Sequence, residues 1–317
     1  MRTARTFHIG LTFLMIALSI SLTKTCFAQP LLKSEKQLTF GKGPDTNPAW
    51  SPDGKTIAFH SMRKGNYDVW RVALEDGALK QLTTSSLDEG NPSWSLDSKK
   101  LAFVRYLKGS GEGYGNLFLI SIIDGFKEIQ LTTDGTRKGS ASTWTPDGNS
   151  IIYSEARGTK ETFETDVWSL NITTKQRVRL IEVYKWKSHK KGLFVGSIAI
   201  NAQGNLLAFD AVGGESEKRW LYVMDLNLKN PKPIVTDLDR PWFPNYSPDG
   251  KWIAFHAGKL GADGIWIVKP DGSGKTRLIS SGKGDRQASW SPDGRRIAYV
   301  KGVHEEAHIW ILELQYK

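Results

Sequence analysis

A five-residue unit recurs six times along this chain, and its spacing leaves few folds open. Trp50-Ser51-Pro52-Asp53-Gly54 returns as Trp94-Ser95-Leu96-Asp97-Ser98 and Trp144-Thr145-Pro146-Asp147-Gly148, then in a degenerate copy, Ile200-Asn201-Ala202-Gln203-Gly204. Tyr246-Ser247-Pro248-Asp249-Gly250 and Trp290-Ser291-Pro292-Asp293-Gly294 complete the series. The fourth residues of successive units stand 44, 50, 56, 46 and 44 positions apart. A period of about 40 to 50 residues in strand-rich units is the signature of a propeller.

Each repeat keeps one internal order. An aromatic residue ends a first strand, and S-P-D-G then makes a tight turn, with Pro fixing φ, Asp bonding locally and Gly accepting φ > 0. A second strand follows, as in Thr56-Ile57-Ala58-Phe59 or Trp252-Ile253-Ala254-Phe255. The third is marked by Asp68-Val69-Trp70, Asn116-Leu117-Phe118, Asp166-Val167-Trp168, Gly264-Ile265-Trp266 and His308-Ile309-Trp310, and the last by Gln81-Leu82-Thr83 or Gln130-Leu131-Thr132. Four short antiparallel strands per repeat make one blade. The sixth repeat stops after its third strand, whereas Gln37-Leu38-Thr39 stands ahead of the first repeat. The fold class is therefore all-β: a six-bladed β-propeller of four-stranded antiparallel blades, closed by the N-terminal strand completing the last blade. Such closure removes open sheet edges. Eight of the twelve Trp fall on repeat positions (50, 94, 144 and 290; 70, 168, 266 and 310), which reads as packing between blades.

Composition agrees with a folded core, at 39% hydrophobic and 24% charged among 317 residues. The single cysteine excludes a disulfide scaffold, a thiolate zinc site and a CxxC redox centre. The N-terminus reads as an export signal: Arg2 and Arg5, an apolar stretch from Ile9 to Leu22, then Cys26-Phe27-Ala28 before Gln29. Its apolar core is short for a membrane-spanning helix, and Thr23-Lys24-Thr25 is a poor lipidation context for Cys26. The expected organisation is a signal peptide over 1–28, a short lead-in over 29–35 and the propeller over 36–317. Cleavage removes Arg2, Arg5 and Lys24, lowering the formal charge from +10 to +7, and takes the only cysteine with it. The expected destination is periplasmic or secreted, as a monomer, with no membrane span after cleavage.

The recurring W-S-P-D-G-x-x-I-A-F, the D-V-W strand and the Q-L-T strand resemble the WD40-like (PD40) repeats of the TolB-type six-bladed propeller family, over about residues 36–315. The resemblance implies a periplasmic propeller whose face binds partner proteins of the envelope. The stretch from Gln29 to Glu35 is too short for the separate N-terminal domain of the family's namesake, which this chain is expected to lack. Related repeats also occur beside serine peptidase domains, but no G-x-S-x-G elbow is evident here.

Functional residues are expected on the face that carries the inter-blade loops, because function on a rigid scaffold sits in loops that diverge. The S-P-D-G turns lie on the opposite face, so Asp53, Asp97, Asp147, Asp249 and Asp293 read as turn formers. The candidate binding residues at the channel mouth are Asp45, Glu89, Arg137, Lys138, Arg240, Trp242, Asp285 and Arg286. Trp242 beside Arg240 has the character of an interaction anchor. His60, Asp210 and His256 hold one equivalent position after the second strand and read as hydrogen-bonded loop supports rather than metal ligands. The basic insertion Lys185-Trp186-Lys187-Ser188-His189-Lys190-Lys191 suits an anionic surface or polysaccharide.

No H-E-x-x-H, Walker loop, G-x-G-x-x-G or EF-hand pattern occurs, and Glu305-Glu306 are simply loop neighbours. Basic excess on an exported chain without a nucleic-acid motif argues against DNA or RNA. The expected function is a non-enzymatic binding or scaffold propeller with no metal and no cofactor, engaging an envelope protein partner or small polar ligand. A lyase or hydrolase acting on a carbohydrate or lactone at the mouth is the alternative.

Overall fold

Five of the six turns expected from the repeats form with one hydrogen-bond pattern, and in the degenerate copy the Asn201 side-chain amide donates to Gln203 Oε1 instead, at 2.9 Å. In a computed structural model, which describes residues 28–108, 114–138, 142–157, 164–182, 194–212, 218–227, 229–259 and 263–316, the Ser51 hydroxyl donates to Asp53 Oδ1 at 2.6 Å. The same carboxylate accepts the Lys55 N–H at 3.0 Å, and Gly54 takes φ +72°. Ser95, Thr145, Ser247 and Ser291 repeat the bond with Asp97, Asp147, Asp249 and Asp293. The turn aspartates are thus consumed by local geometry.

The strands joined by these turns assemble into six antiparallel sheets, five of them built from a single repeat and the sixth completed by the N-terminal strand. Blade one comprises Asp45–Trp50, Thr56–Ser61, Asp68–Ala73 and Leu79–Gln81, in that spatial order. First strands touch their neighbours right around the ring, blade one meeting both two and six, so the propeller is closed. In blade three the first strand is split into Arg137–Lys138 and Thr143–Trp144.

Pro30–Gln37 closes blade six by pairing antiparallel with His308–Tyr316, Gln37 opposite Trp310. The strand begins at Pro30, so residues 30–35, expected as a lead-in, belong to the sheet. The Q-L-T motif explains the fit. Thr83 Oγ1 accepts the N–H of Val69 at 2.9 Å, Thr132 Oγ1 that of Leu117 at 3.0 Å, and Thr39 Oγ1 that of Ile309 at 3.0 Å. The N-terminal segment makes in blade six the bond that the fourth strands of blades one and two make in their own blades.

Six hydrophobic clusters fill the structure, one at each boundary between neighbouring blades. Trp50 packs with Val300, Ile309 and Ile311 of blade six, Trp94 with Ala58 and Val69 of blade one, and Trp144 with Ala102 and Leu117 of blade two. The Trp94 and Trp144 indoles also donate to the carbonyls of Ala49 and Ser93 in the preceding first strands, each at 3.0 Å. Burying these rings stabilises the ring by about 2–3 kcal/mol per large side chain, which is why the period dominates the sequence.

Candidate functional site

The first strands share a bulge that shapes the channel. Register slips between Thr46 and Ala49, Gly90 and Ser93, Trp242 and Asn245, and Arg286 and Ser289. Within each slip one residue takes a left-handed conformation: Asn47 (φ 52°), Asn91 (57°), Phe243 (54°) and Gln287 (57°). A bulge inserts one residue and re-aims its neighbours. Here it turns those four residues toward the axis, where they line a cavity of about 200 Å³ together with Pro48, Ser93, Asn245 and Ser289. All six blades contribute to this wall, which is neutral, with amides and hydroxyls beside prolines and Phe243.

An amide chain spans the mouth. The Asn47 N–H donates to Gln287 Oε1 at 2.9 Å, the Asn47 side-chain amide donates to Asn91, and Asn91 Nδ2 donates to the Tyr106 hydroxyl at 2.8 Å. Behind the bulges stand His60, Asp210 and His256. His60 Nδ1 accepts the Asn91 N–H at 3.2 Å, His256 Nδ1 accepts the Gln287 N–H at 3.3 Å, and Asp210 takes the Phe243 N–H. Each thus pins the bulge of the following blade. Burial holds the His60 imidazole down to about 4, against a weaker upward pull from Asp45. His256 is held down to about 3 by burial and then by Arg286, Arg219 and Arg240. Both rings are neutral and serve as acceptors.

The sequence-derived mouth residues separate into two groups. Several belong to the starts of first strands, not to loops: Asp45–Trp50, Glu89–Trp94, Trp242–Tyr246 and Arg286–Trp290. Asp45, Glu89 and Asp285 are fully buried, the first two because the pleat of the strands they open directs them inward. Arg63 binds Asp45 at 2.6 Å, Arg105 binds Glu89 at 2.5 Å, and Ser281 donates both its N–H (2.5 Å) and its hydroxyl (2.7 Å) to Asp285. Burial raises the carboxyls of Glu89 and Asp285 above their ordinary range. These three acids are internal struts, which corrects the expectation that they meet a partner directly. Lys138 is buried too, held by Asp134 at 2.6 Å and Glu155 at 3.5 Å. Arg137 begins the split first strand of blade three, and its side chain lies outside the described residues.

The remaining three lie at or just before the first strands of blades five and six, Trp242 against blade four as well. Trp242 is half-buried, with its ring centroid 5.6 Å from Phe243 and 6.2 Å from His256, and the Arg219 guanidinium 4.1 Å over it. Arg240 is exposed, and Arg286 is half-buried with one amino group on the Gly302 carbonyl at 3.1 Å. Sequence reasoning passed over Asn47, Asn91, Phe243 and Gln287. Three of them precede a proline and stand three residues before the first-strand aromatic, an irregularity inside a strand that signals a bulge. The basic insertion at 185–191 lies outside the described residues.

Residues 28–186, half of the chain, match the family model described as PD40, TolB beta propeller domain. This chain belongs to the TolB β-propeller family. Among curated proteins it is 35% identical over 80 residues to the uncharacterized protein Atu1656 of Agrobacterium fabrum, covering 25% of this chain and 27% of that one. It is 26% identical over 199 residues to the Tol-Pal system protein TolB of Francisella tularensis, covering 62% and 43%. The chain thus spans less than half the length of these relatives. TolB from Acinetobacter baumannii superposes with a TM-score of 0.65 at 22% identity, over 78% of this chain and 57% of that one. A gluconolactonase from Xanthomonas campestris gives 0.65 at 14% (90% and 94%), and an oligogalacturonate lyase in complex with manganese 0.61 at 12% (91% and 98%). At these identities the superpositions speak to the fold.

Proposed function

We propose that this TolB-family propeller is exported and works as a binding or scaffold module, engaging a protein partner or polar ligand around the channel mouth on the loop face. The observation that carries the reading is the ring of left-handed bulge residues, Asn47, Asn91, Phe243 and Gln287, fixed by inter-blade hydrogen bonds around a neutral cavity. Left-handed non-glycine residues cost stability and persist where the surroundings over-determine them. Preorganised amides and one aromatic offer hydrogen bonds and an anchor without ordering cost at the moment of binding.

The enzymes among the structural neighbours make a lyase or lactone-acting reading the second one. Acid-base chemistry would draw on Asp45, Glu89, Asp210, Asp285, His60 and His256. Each of these already holds an internal partner. Among the described residues no three His, Cys, Asp or Glu side chains gather as a metal site, and no helix is long and apolar enough to cross a membrane. The N-terminal stretch that reads as an export signal supports an envelope address.

Affinity capture from envelope extract tests the reading, comparing the mature chain with a Phe243→Ser, Arg240→Ala double variant. Loss of the captured partners in the variant is the expected result. An identical partner profile overturns the assignment to this face, and stoichiometric divalent metal in the purified protein favours the enzyme.

A further inference from the structure

Resting on this mouth-binding reading, the balance of charge at the mouth specifies what a partner carries. Arg63 neutralises Asp45, Arg105 neutralises Glu89 and Arg219 neutralises Asp210. Arg240 and Arg286 stand apart. Arg240 is exposed, adopts φ 45°, and pairs with no carboxylate among the described residues, its chain neighbour Asp239 included. Arg286 bonds the Gly302 carbonyl, its buried Nε–H meets no acceptor among the described residues, and the charge of Asp263 acts on it. Both guanidinium groups act on the same imidazole, that of His256. That ring stacks with Phe243 at 5.6 Å and accepts the N–H of Gln287, the residue next to Arg286.

We propose that this corner of the mouth is a carboxylate-binding subsite, in which Arg240 and Arg286 hold an Asp or Glu side chain of a partner's acidic segment beside Phe243 and His256. A guanidinium left with free N–H donors beside an aromatic floor is the arrangement that gains most from a carboxylate, since charge-assisted forked bonds are strong and planar. The adjoining cavity, at about 200 Å³, is smaller than small-molecule pockets and suits one large side chain of a peptide rather than a sugar chain.

The test measures fluorescence anisotropy of the mature chain with two labelled ten-residue peptides. One carries four Glu around a central Trp, and the other carries Gln at the same four positions. Wild type binds the Glu peptide about ten-fold tighter at low salt. Arg240→Gln, at an exposed position, loses the preference, and Arg240→Lys keeps part of it. Equal binding of both peptides, abolished by Phe243→Ser, overturns the carboxylate subsite while leaving the mouth reading intact. Binding of neither overturns both. Tighter binding of an oligogalacturonate than of the Glu peptide overturns the assignment to a protein segment.

Discussion

The imidazole Nδ1 of His60 accepts the backbone N–H of Asn91 at 3.2 Å, across the boundary between blades one and two. His256 does the same for Gln287 across the boundary of blades five and six, at 3.3 Å. Only a neutral ring has a lone pair for this bond. Burial depresses both pKa values, to about 4 and about 3, so the unfolded chain takes up these protons first, near the ordinary 6.5. The contribution is complete above pH 6.5 and is lost progressively as pH falls toward 4. The shifts are worth on the order of 3 kcal/mol for His60 and 5 for His256. Urea unfolding at pH 7.5, 5.5 and 4.5 should show this decline, and His60→Gln should flatten it. An unchanged slope in the variant would count against the assignment.

Gly90 is required because of the same imidazole. A Cβ at position 90 would lie 2.5 Å from His60 Nδ1. Gly90→Ala should therefore destabilise the protein by about 1–3 kcal/mol, as overpacking does. In a His60→Ala background the substitution should cost far less, so the double-mutant cycle reads the contact directly. Additive losses would show that the clash lies elsewhere.

Ring closure rests on one buried threonine. Thr39 Oγ1 accepts the Ile309 N–H at 3.0 Å, in the place that Thr83 and Thr132 fill in blades one and two. Thr39→Val keeps the shape and leaves that N–H unpaired, costing about 1–3 kcal/mol. Deletion of residues 30–39 uncovers the edge of blade six and should produce concentration-dependent association in sedimentation velocity. A deletion variant that stays monomeric at full stability would refute closure by this strand.

The sequence made the framework legible because turn chemistry and strand period recur: Ser51-Pro52-Asp53-Gly54 and Gln37-Leu38-Thr39 each carry their hydrogen bonds within a few residues or one strand pair. The mouth was less legible. Whether Asp45 faces solvent or core depends on the pleat and on a bulge two residues later, and a single inserted residue reverses the facing of what surrounds it. Asn47-Pro48, Asn91-Pro92 and Phe243-Pro244 held that information. The pairing of Asp45 with Arg63, or of Glu89 with Arg105, depends on register between two strands, which charge counting along one strand does not reveal.

Struts and contacts at the mouth should respond to substitution in opposite ways. Asp45 is fully buried and its partner Arg63 nearly so, and removing one member of such a pair leaves the other charge desolvated. Asp45→Asn should cost about 3 kcal/mol or more in urea unfolding, while the folded protein still captures its partners. Arg240 is exposed and makes no side-chain bond among the described residues, so Arg240→Ala should leave the unfolding midpoint unchanged and weaken partner binding. The decisive measurement is both quantities on both variants. A stable Asp45→Asn protein that no longer binds would return the acids of blades one and two to the contact surface.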